Sequence, residues 1–186
     1  MANTVTVTAT TANTTKAVEY TLDTANRADA VYQKWTDCTF ADMESHLLLV
    51  TNYLRNFASV WQGCTFVHGC HNPGTPNPAN VLYGGRLSTF SDCQFYEAGF
   101  NQRAGTQQEA HGLWLTNDYN TVSACKIMEN RGGYGIKITG SYNTINACTF
   151  SNNRDGDILV QGTGNVIIKG AGTTNILDQG SGTIIK

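Results

Sequence analysis

Between His111 and Gly170 the chain carries three copies of one unit. Leu113-Trp114-Leu115-Thr116 aligns with Ile136-Lys137-Ile138-Thr139 and then with Ile158-Leu159-Val160-Gln161. Asn120, Asn143 and Asn165 each follow a short polar turn, at intervals of 23 and 22 residues. Val122, Ile145 and Ile167 come two residues later, and Cys125, Cys148 and Gly170 three residues after those. A fixed period of this size marks a solenoid, because one short unit cannot bury its apolar face until neighbours stack on it.

The same signature extends upstream in less regular form. Trp35-Cys38-Phe40, Trp61-Cys64-Phe66 and Phe90-Cys93-Phe95 share the spacing of Val122-Cys125-Ile127 and Ile145-Cys148-Phe150. Alternating apolar pairs precede the last four of these triads, Leu48/Val50, Val81/Tyr83, Leu113/Leu115 and Ile136/Ile138; Val18/Tyr20 offers a first such pair before Trp35, and Ile158/Val160 precedes Ile167. Alternation with period two predicts strands with one face inward. Residues 43–61 also admit a helical reading through Leu47, Leu54 and Phe57. The match of His46-x-Leu48-x-Val50-Thr51-Asn52 to His111-x-Leu113-x-Leu115-Thr116-Asn117 favours strand and turn. The expected architecture is all-β: a single-domain coil array over residues 17–178, about six coils long. Residues 1–16 alternate Thr with Val or Ala and read as an extended N-terminal arm. Residues 179–186 read as a C-terminal strand or partial coil. All three prolines fall in residues 69–80 and predict a loop, as does the stretch 98–110. Such insertions project from coil edges.

Composition narrows the classes. Hydrophobic residues make up 40% and charged residues 14%, with a net charge of −2, so the chain is too apolar for disorder. It has no Lys/Arg cluster of the kind that phosphate backbones require, so no nucleic-acid partner is expected. No apolar run is long enough to span a bilayer as a helix, and no membrane insertion is expected. The first residues, MANTVTVTATTANTTK, have neither the basic nor the apolar region of a secretory signal, so cytoplasmic synthesis without export by that route is expected.

Stacked coils place like residues on like. Cys38, Cys64, Cys93, Cys125 and Cys148 are expected to form one inward ladder, with thiols acting as small buried hydrophobes. Phe40, Phe66, Phe95, Ile127 and Phe150 form a second ladder. Asn120, Asn143 and Asn165 are expected to hydrogen-bond along a third.

The run Asn-x-Ile-x-x-Cys-x-Phe-x-x-Asn, from Asn143 to Asn153, resembles right-handed parallel β-helix proteins: the pectin-lyase-like superfamily and bacteriophage tailspike-like proteins. The resemblance covers most of residues 17–178. It implies a right-handed parallel β-helix. Because that superfamily includes lyases, hydrolases, adhesins and non-enzymatic virion parts, it leaves the activity open.

Several residues could carry chemistry. Four positions after each ladder cysteine lies the column Asp42, His68, Glu97, Glu129, Asn152. Glu97 and Glu129 on adjacent coils, with His68 beside them, form a candidate catalytic set, since paired carboxylates serve glycoside cleavage. The same column also suits a plain polar turn. Asp37 and Asp92, each preceding a ladder cysteine, lie two coils apart with Gly63 between them. No lyase motif surrounds Arg86, Arg103 or Arg131. His68, Cys70 and His71 could ligate a soft metal, but no second Cys/His pair stands at conventional spacing. Cys70, the one cysteine outside the ladder, is a candidate for an intermolecular disulfide. Trp114, Tyr119 and Tyr142 are expected to face outward and could meet sugar rings or a subunit. No cofactor is expected.

Weighted by the resemblance, the expectation is a non-enzymatic bacteriophage virion component: a spike, fibre tip or capsid decoration. Its partners would be two further copies in a homotrimer, other virion proteins and host surface glycan. A polysaccharide depolymerase acting on host surface glycan, through Glu97, Glu129 and His68, is the first alternative. A glycan-binding adhesin module is the second.

Overall fold

The computed structural model describes residues 18–20, 31–42, 46–50, 57–70, 79–99, 110–172 and 174–186. The expected N-terminal arm, His71 and most of both predicted loops lie outside these residues.

The chain winds coil after coil. The first coil comprises β1 (Val18–Tyr20), β2 (Val31–Thr36) and β3 (Thr39–Ala41), and the second β4 (Leu48–Val50), β5 (Phe57–Gln62) and β6 (Thr65–Val67). The third contains β7 (Ala79–Tyr83), β8 (Thr89–Ser91) and β9 (Gln94–Tyr96), and the fourth β10 (His111–Leu115), β11 (Thr121–Ser123) and β12 (Lys126–Met128). In the fifth, β13 (Tyr134–Ile138) leads into β14 (Thr144–Ser151), which spans two faces. β15 (Gly156–Val160) and β16 (Val166–Lys169) form the sixth, and β17 (Ile176–Asp178) and β18 (Ile184–Ile185) a shorter seventh.

Every strand pairing is parallel and joins neighbouring coils. Three faces result. The first sheet stacks β1, β4, β7, β10, β13, β15 and β17. The second stacks β2, β5, β8, β11, β14, β16 and β18, and the third β3, β6, β9, β12 and the far half of β14. The protein is an all-β parallel β-helix.

The repeat positions become ladders because the register is residue to residue. Leu48, Val81, Leu113, Ile136, Ile158 and Ile176 align on the first face. On the second face Trp35, Trp61, Phe90, Val122, Ile145 and Ile167 align. The Trp35 and Trp61 rings stack with centroids 5.5 Å apart and 2° between planes, and Phe90 continues the stack at 6.1 Å. On the third face Phe40, Phe66 and Phe95 stack at 5.1 Å per step. The two stacks meet edge to face within a single core. Tyr83 takes an inward position, and its hydroxyl is satisfied by Ser88 at 2.6 Å and by Ser59.

The asparagine ladder satisfies turn backbones. Asn120 N–H donates to Asn143 Oδ1 at 2.8 Å, and Asn143 N–H donates to Asn165 Oδ1 at 2.8 Å. Ser88 N–H donates to Asn120 Oδ1 one coil earlier. Where adjacent backbones approach most closely, no side chain fits: a Cβ on Gly162 would stand 1.8 Å from Gly140 O. The described residues of 43–61 include β4 and most of β5, so Leu48–Val50 and residues 57–61 are strand rather than helix, while the turn at Thr51-Asn52 and Leu54 lie outside the described residues.

The cysteines occupy one inward line. Cys64, Cys93, Cys125 and Cys148 are buried, Cys38 is half-buried, and all are free thiols. Each backbone carbonyl in the line accepts from the residue after the next cysteine, as in Gln94 N–H to Cys64 O at 2.8 Å. Their thiols donate to backbone carbonyls, Cys93 to Trp61 O and Ser91 O at 3.3 Å each and Cys125 to Ser123 O at 3.3 Å. Cys93 is held below the ordinary thiol range by Cys125 and Cys64, and Cys148 is held down by Cys125. Cys64 is pushed up by the neighbouring Cys93 thiol and by burial, and Cys125 by the neighbouring Cys148 and Cys93 thiols and by burial.

Candidate functional site: a histidine between carboxylates

The corner leading from the third sheet to the first is one residue deep at its start. That residue has positive φ in each of the first five coils: Asp42 (59°), His68 (60°), Glu97 (56°), Glu129 (57°) and Asn152 (53°). Asp, Asn and His tolerate this left-handed conformation better than most side chains; glutamate tolerates it less well. The corners stack because each amide reaches the next coil, for instance Glu97 N–H to Met128 O at 3.3 Å and Glu129 N–H to Ser151 O at 3.0 Å.

Shared backbone geometry points the side chains along the rod axis. His68 Nδ1 lies 2.9 Å from Asp42 Oδ1, and Nε2 lies 2.9 Å from Glu97 Oε2. A neutral imidazole has one N–H to donate, whereas the imidazolium has two, so the charged form satisfies both carboxylates. The group sits at the surface, with side-chain exposure of 73% for Asp42, 31% for His68 and 19% for Glu97. Glu129 is exposed on the following coil, one strand spacing from Glu97, about 4.8 Å along the axis. The column therefore brings together Glu97, Glu129 and His68, as the spacing predicts, and adds Asp42 as a second anchor for the imidazole. Spacing revealed the column but not which neighbours pair.

The corner between the second and third sheets also repeats a left-handed residue. Asp37 and Asp92 flank Gly63, and the Asp37 carboxylate fills the space that a side chain on Gly63 would need, with Oδ1 2.2 Å from that Cβ position. This keeps the two aspartates two coils apart. Among the described residues no group of three or more His, Cys, Asp or Glu side chains could hold a metal ion. Of the proposed soft-metal ligands, His68 is engaged by carboxylates and His71 lies outside the described residues. Cys70 is fully buried beside Ala98 and Ala110, and its Sγ donates to Ala79 O at 2.9 Å. Burial pushes the Cys70 thiol up to about 12. A disulfide from Cys70 to another chain would require this buried thiol to be brought to the surface.

The aromatic candidates do face outward, but their ring faces are occupied. Tyr119 and Tyr142 stack at 5.3 Å and 12° on the corner between the first and second sheets. Arg86 covers Tyr119 with its guanidinium 5.2 Å from the ring centroid. Tyr142 leans into the gap over Gly164, where a Cβ would stand 2.7 Å from Cε1. Lys137 Nζ lies 4.0 Å over the Trp114 ring, and the indole N–H donates to Thr139 Oγ1 at 3.0 Å. Edges and hydroxyls, rather than open faces, are what these rings offer a ligand. The alignment of Lys137 with Trp114 in the repeat is the sequence signal for that covering cation.

No curated protein and no solved structure matches the chain significantly. The family described as right handed beta helix region matches residues 28–183. With its parallel three-faced stack and a match over most of its length, the chain belongs to the right-handed β-helix family.

Proposed function

We propose that the protein is a non-enzymatic structural element that assembles with copies of itself, most simply as a homotrimer, in a phage particle as a spike, fibre tip or capsid decoration. The β-helix framework fits a structural protein and a polysaccharide-acting one alike. The observation that carries the structural reading is a set of exposed aliphatics on the last two coils. Ile168 on the second sheet, Leu177 on the first, and Ile184 and Ile185 on the last strand are exposed by 38%, 42%, 50% and 43%. Large exposed aliphatics gathered on one part of a molecule favour a contact surface there. Native mass measurement tests self-assembly: a trimer is expected, and a stable monomer of 20.1 kDa overturns it. The particle assignment is tested by recovering the protein in purified particles from the source culture; its absence from them removes that assignment.

One observation favours a second reading. The Asp42–His68–Glu97 chain, with Glu129 alongside, is a carboxylate and imidazole set of the kind that cleaves glycosidic bonds. As a depolymerase of surface glycan, the protein would release reducing ends, and Glu129→Gln would abolish that release. A wild-type protein that releases none overturns this reading.

A further inference from the structure

Neither reading uses the thiol ladder. We propose that adjacent ladder thiols form buried, linear, two-sulfur sites for a soft monovalent cation such as Cu(I) or Ag(I), along the line Cys64, Cys93, Cys125.

Spacing comes first. The cysteines are in register on parallel coils, with Gln94 N–H bonded to Cys64 O at 2.8 Å and Lys126 N–H to Cys93 O at 2.9 Å. Successive rungs of such a stack are about 4.8 Å apart. Two metal–thiolate bonds of about 2.3 Å placed end to end span nearly that distance. The same spacing is long for a disulfide, whose Cβ atoms stand about 3.8 Å apart, and all these cysteines are free.

Donor chemistry comes second. The ladder runs through a core of Trp61, Phe66, Phe90, Phe95, Val122 and Ile127. Sulfur is the metal-binding side-chain atom in that core, and thiolates select soft cations. A straight line of thiols cannot enclose a tetrahedral ion, so zinc is a poor fit.

Charge balance comes third. Each thiol proton is held by a backbone carbonyl, as in Cys93 Sγ to Trp61 O at 3.3 Å. A monovalent cation between two adjacent thiols displaces one thiol proton: Cys–SH plus HS–Cys plus M⁺ gives Cys–S–M–S(H)–Cys plus H⁺. One sulfur–hydrogen bond breaks, two sulfur–metal bonds form, one to the new thiolate and one to a lone pair of the remaining thiol, and the proton leaves to solvent. No net charge is added to the core, which avoids the large cost of burying one. Half-buried Cys38 offers an entry at one end of the line.

The test is incubation of the full chain with silver nitrate in chloride-free buffer, desalting, and native mass spectrometry with thermal melts. The expected result is one or more retained ions per chain, each adding the mass of silver less one proton, and a raised melting midpoint. Cys64→Ala/Cys125→Ala leaves three ladder thiols but no adjacent pair, and should reduce retained silver at least tenfold. Cys38→Ala/Cys70→Ala keeps the central pairs and should retain it. X-ray absorption of the loaded wild-type protein should show two sulfur neighbours and no nitrogen or oxygen, a readout independent of whether the first variant folds. The proposal is overturned by wild-type protein that retains no silver or is destabilised by it. Undiminished retention in the first variant, loss in the second, or nitrogen or oxygen ligation also overturns it.

Discussion

His68 Nε2 lies 2.9 Å from Glu97 Oε2 across one coil boundary, while its Nδ1 lies 2.9 Å from Asp42 Oδ1 across the other. One imidazole thus ties three consecutive coils at a corner where the backbone is left-handed. Partly exposed ion pairs contribute little, about 1 kcal/mol or less. His68→Ala should therefore lower stability by only about 1–2 kcal/mol, part of it from alanine in a positive-φ position. His68→Asn, which tolerates that conformation, should cost less. Urea midpoints compare the two; equal midpoints for both variants and the wild type would remove the clamp from the account.

Trp61 has no exposed surface and stacks between Trp35 and Phe90. Trp61→Ala should cost about 3–5 kcal/mol, the range for deleting a large buried aromatic. Trp61→Phe repeats the residue found one coil later and should cost clearly less. A loss below about 1 kcal/mol for the alanine variant in chemical denaturation would contradict continuous stacking.

Asn143 stands at the centre of the asparagine ladder and is fully buried. Asn143→Ala leaves the Asn120 N–H without its 2.8 Å acceptor. An unsatisfied buried amide costs about 1–3 kcal/mol. Hydrogen exchange should show the Asn120 amide losing protection before the rest of the fourth and fifth coils, while the amide of residue 143 keeps its Asn165 acceptor; unchanged protection of Asn120 would speak against the ladder as a support.

Cys70 should make stability fall at alkaline pH. Burial pushes its thiol from 9.0 to about 12 in the folded state, so the folded chain holds the proton that the unfolded chain has released. This contribution is complete below about 9 and is lost as pH rises through about 12. Cys70→Ala should flatten that part of the stability profile relative to wild type. Parallel profiles would mean that the thiol reaches solvent.

The ladders were legible in the sequence because a stacked coil maps sequence period directly onto space. Trp35, Trp61 and Phe90 fall on one line simply because each precedes a ladder cysteine by three residues. The candidate site was half legible. Glu97, Glu129 and His68 share a column by counting, but the pairing of His68 with Asp42 and Glu97 depends on side-chain direction. The covered faces of Tyr119, Tyr142 and Trp114 were partly legible: the repeat aligns Lys137 with Trp114 and Gly164 with Tyr142, but Arg86 reaches Tyr119 from a different position of the preceding coil.

Period, alternation and turn residues alone thus specify an all-β array of stacked coils, since local rules of strand and turn repeat without long-range information. Tertiary structure decided which polar groups meet. It turned a column of corner residues into a histidine held by two carboxylates. It also placed Cys70 in the interior rather than at a surface. The physical reason is that ladder positions follow from backbone register. Contacts between side chains on neighbouring coils depend on rotamers, burial and what each coil leaves uncovered.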